Sequence, residues 1–214
     1  MPDILTLPNG NKIRKRNAEG KPPPSERYME MKATGIVRRI DDLGRVVIPK
    51  EIRRTMRIRE GDPLEIYTDR EGEVIFKKYS PIGELNSFAA QYADTLSKTC
   101  DLAVVVCDRD AVITSSGVSR KEFADRHVSD TVERLMENRG VYLYAPGENA
   151  FELIADGNGK WLVSCLAPIL AEGDVIGAVA TLFPYEERSS HRPSETESKL
   201  ILTAASFLGK QMED

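Results

Sequence analysis

Seven cations between residues 32 and 54 have the types and spacing to grip a polyanion: Lys32, Arg38, Arg39, Arg45, Lys50, Arg53 and Arg54. A guanidinium is a planar fork that meets a phosphate, or the edge of a guanine, with two parallel hydrogen bonds, whereas an ammonium acts as a point charge. The cations do not form one run. Over residues 32–59 nine cations and three acids, a net of +6, alternate with apolar residues. Basic side chains are spaced this way when they stud the outside of a small folded unit. The bland reading of such a cluster is a solvated face, and the pattern alone leaves that choice open.

Other chemistries find less support. His127 and His191 have no Cys, Asp or Glu at a metal-ligand spacing and read as surface histidines. Cys100, Cys107 and Cys165 are odd in number and form no CxxC, so they read as reduced, mostly buried thiols of a cytosolic protein. Ser115-Ser116-Gly117 lacks the GxSxG frame and a base, and no phosphate-binding glycine motif occurs. Asp41 and Asp42 are expected to hold a turn and orient the neighbouring arginines by ion pairing. Trp161 is expected in a core or interface rather than in a ligand pocket. No catalytic residue, metal site or cofactor is expected, and the chain is not read as an enzyme.

The chain has 214 residues, 41% hydrophobic and 30% charged, the balance of a globular protein. No apolar run approaches the ~18 residues of a membrane helix, and no apolar segment follows the N-terminal charges as in a secretory signal. A cytoplasmic location is therefore expected, with no membrane partner. The net charge of −4 conceals a polarity: residues 1–31 sum to +2 (6 cations, 4 acids), 32–79 to +3 (12 and 9) and 80–214 to −9 (12 and 21). A basic front and an acidic rear call for different partners.

Four segments follow from composition and period. Residues 1–31 contain NGNKIRKRN and three consecutive prolines, Pro22 to Pro24, with no sustained period. They are expected to be a disordered extension. A Glu-Arg pair ahead of Met31 can be encoded by a purine-rich ribosome-binding sequence, so translation starting at Met31 or Met29 is a second expectation for this segment. Residues 32–80 read β-β-α-β-β: strands at 33–40 and 46–48 around a turn at Gly44, then a short helix from Lys50 with Pro49 at its first turn. A hairpin follows, turning at 69–72. Such a unit is too small to bury enough apolar surface alone, so dimerisation is expected. Residues 81–98 carry Ile82, Leu85, Phe88, Ala89, Tyr92, Ala93 and Leu96 at helical steps and read as a linker helix. Residues 99–214 read as strands at 102–107, 111–115, 141–144, 151–155, 161–170 and 175–183, with two short helices in the middle. A final helix is capped by Ser194.

The residues DxxGRVVIPKxIR within GIVRRIDDLGRVVIPKEIRRTMRIREGDPLEIYTDREGEVIFKKYSPIGEL resemble the core signature of the AbrB-type swapped-hairpin DNA-binding regulators. GDVIGAVATLF and the final ASFLGKQMED extend the likeness, over residues 31–214, to the stage V sporulation regulator T family, whose C-terminal half is a GAF domain. The resemblance implies an α+β chain: a swapped-hairpin β-barrel dimer, a linker helix and a GAF-like α/β domain with an antiparallel sheet at 99–214. It implies binding to double-stranded DNA through Arg38, Arg45, Arg53 and Arg54, with Lys32, Arg39 and Lys50 as phosphate partners. It also implies a homotetramer, a dimer of dimers, regulating sporulation genes in the forespore by activation and repression. An unidentified small molecule in the cleft formed by residues 115–155 is one role for the GAF-like part; an oligomerisation scaffold is the other. The competing functions are a swapped-hairpin antitoxin, or a small-molecule sensor or enzyme that does not bind DNA.

Overall fold

The computed structural model describes residues 4–6, 12–14, 34–70 and 72–213. Two compact units divide the chain, Met1–Lys50 and Glu51–Asp214. In the first, β1 (Ile4–Thr6) and β2 (Lys12–Arg14) pair antiparallel, Ile4 opposite Arg14 and Thr6 opposite Lys12. The rest of residues 1–31, on which the expectation of a disordered extension falls, lies outside the described residues. Pro22 to Pro24 and both alternative start methionines lie outside the described residues.

Residues 34–40 and 46–49 contain no strand, contrary to expectation, and Val37 and Val47 stand 85% and 69% exposed. A strand exists only as a pairing, and the single chain offers these β-branched residues no described partner edge. The strands of residues 34–80 accordingly close no barrel within one chain.

Helix α1 (Lys50–Thr55) straddles the boundary between the units. In the second unit, β3 (Leu64–Thr68) and β4 (Val74–Lys78) form the expected hairpin, with Ile66 opposite Phe76. The Asp69 carboxylate accepts the Glu73 amide at 2.8 Å to close its turn. The linker helix is broken at Leu85 into α2 (Pro81–Glu84) and α3 (Asn86–Cys100). Five strands follow in an all-antiparallel sheet of order β6-β5-β9-β8-β7. They are β5 (Ala103–Asp108), β6 (Val112–Ser116), β7 (Tyr142–Leu143), β8 (Trp161–Ala171) and β9 (Asp174–Pro184). The strand expected at 151–155 is reduced to one bridge, Val128 to Ile154.

One face of the sheet is covered by α3 and by α6 (Glu195–Lys210), around Ala93, Val106, Ile169, Ile201 and Leu208. The other is covered by α4 (Arg120–Phe123) and α5 (Asp130–Glu137), around Val105, Phe123, Val132, Met136 and Leu166. Strand β9 lies buried between the two layers, which explains its near-continuous apolar run of residues 175–183.

Candidate nucleic-acid interface

In the first unit, a tight loop sets one arginine. Gly44 adopts φ +76°, a left-handed backbone that glycine tolerates without strain. That bend turns the chain so that Asp41 N–H donates to the Arg45 carbonyl and Gly44 N–H to the Asp41 carbonyl, both at 3.0 Å. The Asp41 carboxylate accepts the amides of Leu43 (3.1 Å) and Arg45 (2.7 Å), then the Arg45 Nε at 2.8 Å. The Arg45 amide, followed by its guanidinium, holds the Asp41 carboxyl below its usual range, so the pair stays charged. Asp41 thus holds the turn and orients an arginine, as its position suggested. The Arg45 side chain remains 69% exposed. Arg38 and Arg39 are also exposed, and Lys32 lies outside the described residues.

Helix α1 presents Lys50, Arg53 and Arg54 to solvent. It ends in a Schellman-type cap: Ile58 N–H donates to the Arg53 carbonyl (2.7 Å) and Arg57 N–H to the Arg54 carbonyl (3.2 Å). Arg57 takes the left-handed position at φ +50°, where glycine is usual. A basic residue there complements the negative end of the helix. The backbone carbonyls behind Arg53 and Arg54 are therefore tied directly to Arg57 and Ile58. Exposed guanidiniums on an ordered helix, and on an ordered loop, can meet phosphates without first losing their backbone freedom.

Between the sheet and residues 115–155, the apolar side chains of Phe123, Val132 and Leu153 fill most of the cleft expected for a ligand. A cavity of about 60 Å³ remains, lined by Glu122, Arg126, Glu152 and Trp161 among others. Ligand sites typically span roughly 300–1,000 Å³. Trp161 combines both of its readings, packing on the core and lining this small space. Burial pushes the Cys107 thiol up to about 12 and the Cys165 thiol up to about 11, so neither is a thiolate at neutral pH.

One convergence escaped sequence reasoning. Ser164 Oγ donates to Glu197 Oε1 at 2.7 Å, and the His191 Nε2–H donates to Ser164 Oγ at 2.7 Å. Thr181 Oγ1 donates to the same carboxylate oxygen at 2.5 Å. His191 is half-buried and stacks on Phe183 at 3.9 Å, which corrects its assignment to the surface. Serine, histidine and acid are present, yet the hydroxyl sits between the other two, donates its proton to the carboxylate, and is fully buried. A nucleophile needs its base as acceptor and a path to substrate. This trio instead fastens the first turn of α6 to the middle of β8 and β9.

Burial holds the His191 imidazole below its ordinary value of 6.5, overriding the attraction of Glu197 and Glu187. A lowered folded-state value means that the unfolded chain protonates first as pH falls. The contribution of His191 to stability is whole above about 6.5 and is lost below it. Scanning fluorimetry should show a lower melting temperature at pH 5.5 than at pH 7.5. His191→Gln, which keeps a donor for Ser164, should shrink that drop; an identical pH profile in the variant would refute the assignment.

Comparison with known proteins adds a second line of observation. Residues 84–213 match the family model described as stage V sporulation protein T C-terminal, transcription factor. Residues 37–83 match the model for antidote-toxin recognition MazE, bacterial antitoxin. The chain is 51% identical over 183 residues to stage V sporulation protein T of Bacillus subtilis (strain 168), covering 86% of this chain and 99% of that protein. It is 64% identical over 53 residues to the transition state regulatory protein AbrB of the same organism, covering 25% of this chain and 54% of that one. Among solved structures, the N-terminal DNA recognition domain of B. subtilis AbrB is 63% identical, over 24% of this chain and 94% of that chain, with a TM-score of 0.22. A GAF domain/HD domain protein from Geobacter sulfurreducens is 19% identical, over 64% and 99%, with a TM-score of 0.42.

Proposed function

This chain belongs to the stage V sporulation protein T family, and on that premise we propose that it is a DNA-binding transcriptional regulator of sporulation genes. The observation that carries the reading is the 51% identity across 99% of the Bacillus subtilis relative. It is joined by 64% identity to AbrB over a 53-residue stretch. Arg38, Arg45, Arg53 and Arg54 make the principal contacts with duplex DNA. Lys32, Arg39 and Lys50 add phosphate contacts, within a functional domain spanning residues 32–80. Among the described residues of 32–80 the helix α1 has six residues, too short for a long recognition helix, so affinity leans on phosphates and DNA shape.

The active form contains at least two chains. Val37, Ile40, Leu43 and Val47, interleaved with charged residues, are 68–85% exposed in one chain, apolar surface that a second copy would cover while doubling the basic surface. A tetramer assembled through the 99–214 domain fits the same logic. Some genes are activated and others repressed. A small effector entering between α4 and residues 152–158 has to displace Phe123 or Trp161, whereas a wider cavity of about 790 Å³ opens beside Glu133 and Met136 of α5.

Fluorescence anisotropy with labelled duplexes tests the reading. Log affinity should fall linearly with log salt, with a slope of about −0.9 per phosphate contacted. Sequencing DNA co-purified with the native protein should return recurrent sites. Binding that is absent, or indifferent to salt, would remove the proposal. The antitoxin reading draws on the match at residues 37–83. It predicts a co-purifying toxin, and it leaves the folded unit at 84–213 without a role.

A further inference from the structure

Seven charged side chains form a continuous chain of ion pairs within the Glu51–Asp214 unit. Arg57 Nη1 meets Glu133 Oε1 at 2.9 Å, and Arg59 Nη2 meets Glu133 Oε2 at 3.2 Å. Arg59 Nη1 reaches Asp110 Oδ1 at 3.3 Å, and Lys78 Nζ is paired with Asp110 Oδ2. Lys78 also meets Asp62 Oδ2 at 3.2 Å, and Arg109 Nη1 closes the series on Asp62 Oδ1 at 3.0 Å. The Asp62 side chain is only 4% exposed, and it also accepts the Arg59 amide at 2.8 Å. Half-buried pairs joined in a network hold geometry better than isolated surface pairs.

Two places in the fold are linked by this network. On one side stands the cap of α1: Lys78 Nζ donates to the Arg57 carbonyl at 2.8 Å, and Glu133 holds the Arg57 guanidinium. Arg57 is therefore gripped at both ends in a left-handed conformation that a non-glycine residue adopts only under strain. On the other side stand the β5–β6 turn, which carries Asp110, and α5, which carries Glu133. The neighbours of Glu133 on α5, Val132 and Met136, are 0% and 2% exposed in the core beneath the sheet. A helix moves as a rigid element, so displacement of Val132 carries Glu133 with it.

We propose that Asp110 and Glu133 are positioning residues for DNA binding: through Arg57 and Arg59 they fix the C-terminal end of α1, and hence Arg53 and Arg54. Through α5 they couple those arginines to the state of the core beneath the sheet. The proposal rests on the DNA-binding reading above. It goes further by assigning a function in DNA contact to two acidic side chains that touch no phosphate. With four cations and three acids the network carries a net +1, and neutralising Glu133 leaves two guanidiniums without a shared partner.

The test uses full-length Glu133→Gln and Asp110→Asn proteins and a labelled mixed-sequence duplex of about 40 base pairs, well beyond one helical turn. Each variant should bind roughly tenfold more weakly, the scale of a typical coupling between sites. Oligomeric mass should be unchanged. Amide hydrogen exchange should accelerate about tenfold at residues 53–58 and stay unchanged in β8 and β9, a local signature that general destabilisation does not produce. Affinity within twofold of the parent, or unchanged exchange at residues 53–58, would overturn the proposal. If the parent itself bound no duplex, the functional reading would fall, and the exchange measurement alone would still decide whether these acids hold the helix.

Discussion

Arg53→Ala and Arg45→Ala are each expected to abolish specific DNA binding while leaving the assembled protein folded. A bidentate arginine contributes about 1–3 kcal/mol, and a two-fold dimer loses it twice, so affinity should fall by roughly thirtyfold to twenty-thousandfold. Neither side chain is committed to the interior. Arg53 is exposed on α1, and Arg45 is 69% exposed with only its Nε held by Asp41. Truncation therefore removes no buried contact, and melting temperature and oligomeric mass should match those of the parent. Lys199→Ala serves as the control: Lys199 is a surface cation on α6 paired with Glu195, and its loss should leave binding unchanged. Gel shift and anisotropy would report the result. A duplex affinity retained in either arginine variant would count directly against the assigned interface.

Gly177→Ala should produce a large loss of stability. Gly177 lies in β9 opposite Asp108 of β5, and a Cβ built there falls 2.2 Å from the Cys107 carbonyl oxygen and 3.2 Å from the Asp108 Cα. Both obstacles are backbone in a central strand pair, so no rotamer change relieves them. The strands have to separate, and the ladder between them lengthens. Forced overpacking of this kind costs about 1–3 kcal/mol, toward the upper end where backbone itself has to move. For a chain of this length about 3 kcal/mol lowers the melting temperature by roughly 6–12 °C. Scanning calorimetry would measure it, and a shift under about 2 °C would show that the strands accommodate the methyl group. Because Asp108 caps the turn that carries Asp110, the same variant should also loosen the ion-pair network.

Several parts of this molecule were legible in the residues alone. The β3–β4 hairpin follows from period-2 alternation broken by residues 69–72. The pairing of β8 with β9 follows from two apolar runs flanking Glu172-Gly173, whose backbones turn at φ +50° and +88°. The buried faces of α3 and α6 follow from residues recurring every three or four positions. Ser129 and Ser194 cap their helices through Val132 and Glu197 amides, as local sequence suggests. The DxxGRVVIPKxIR stretch around Gly44 carries the resemblance to a DNA-binding family, whereas its arginine spacing alone fits a solvated face equally well. Each of these is short-range: the interacting atoms lie within a few residues, and one local period or one special backbone angle encodes them.

What tertiary structure decided is of longer range. Only the sheet order places β9 between β5 and β8, and only that placement brings Ser164, Thr181, His191 and Glu197 to one point. His191 read as a surface residue because nothing adjacent in the chain announces Phe183 or Ser164. Residues 34–40 and 46–48 form no strand because backbone pairing needs an edge, and the described residues of one chain supply none. The acids of the C-terminal part looked like bulk negative charge at −9, and the fold picks two of them, Asp110 and Glu133, to hold the cap of α1. A sequence can state which residues are able to carry charge or apolar surface. Which of them share a dielectric and a distance is settled by packing, because Coulomb energy and burial depend on separation in space rather than along the chain.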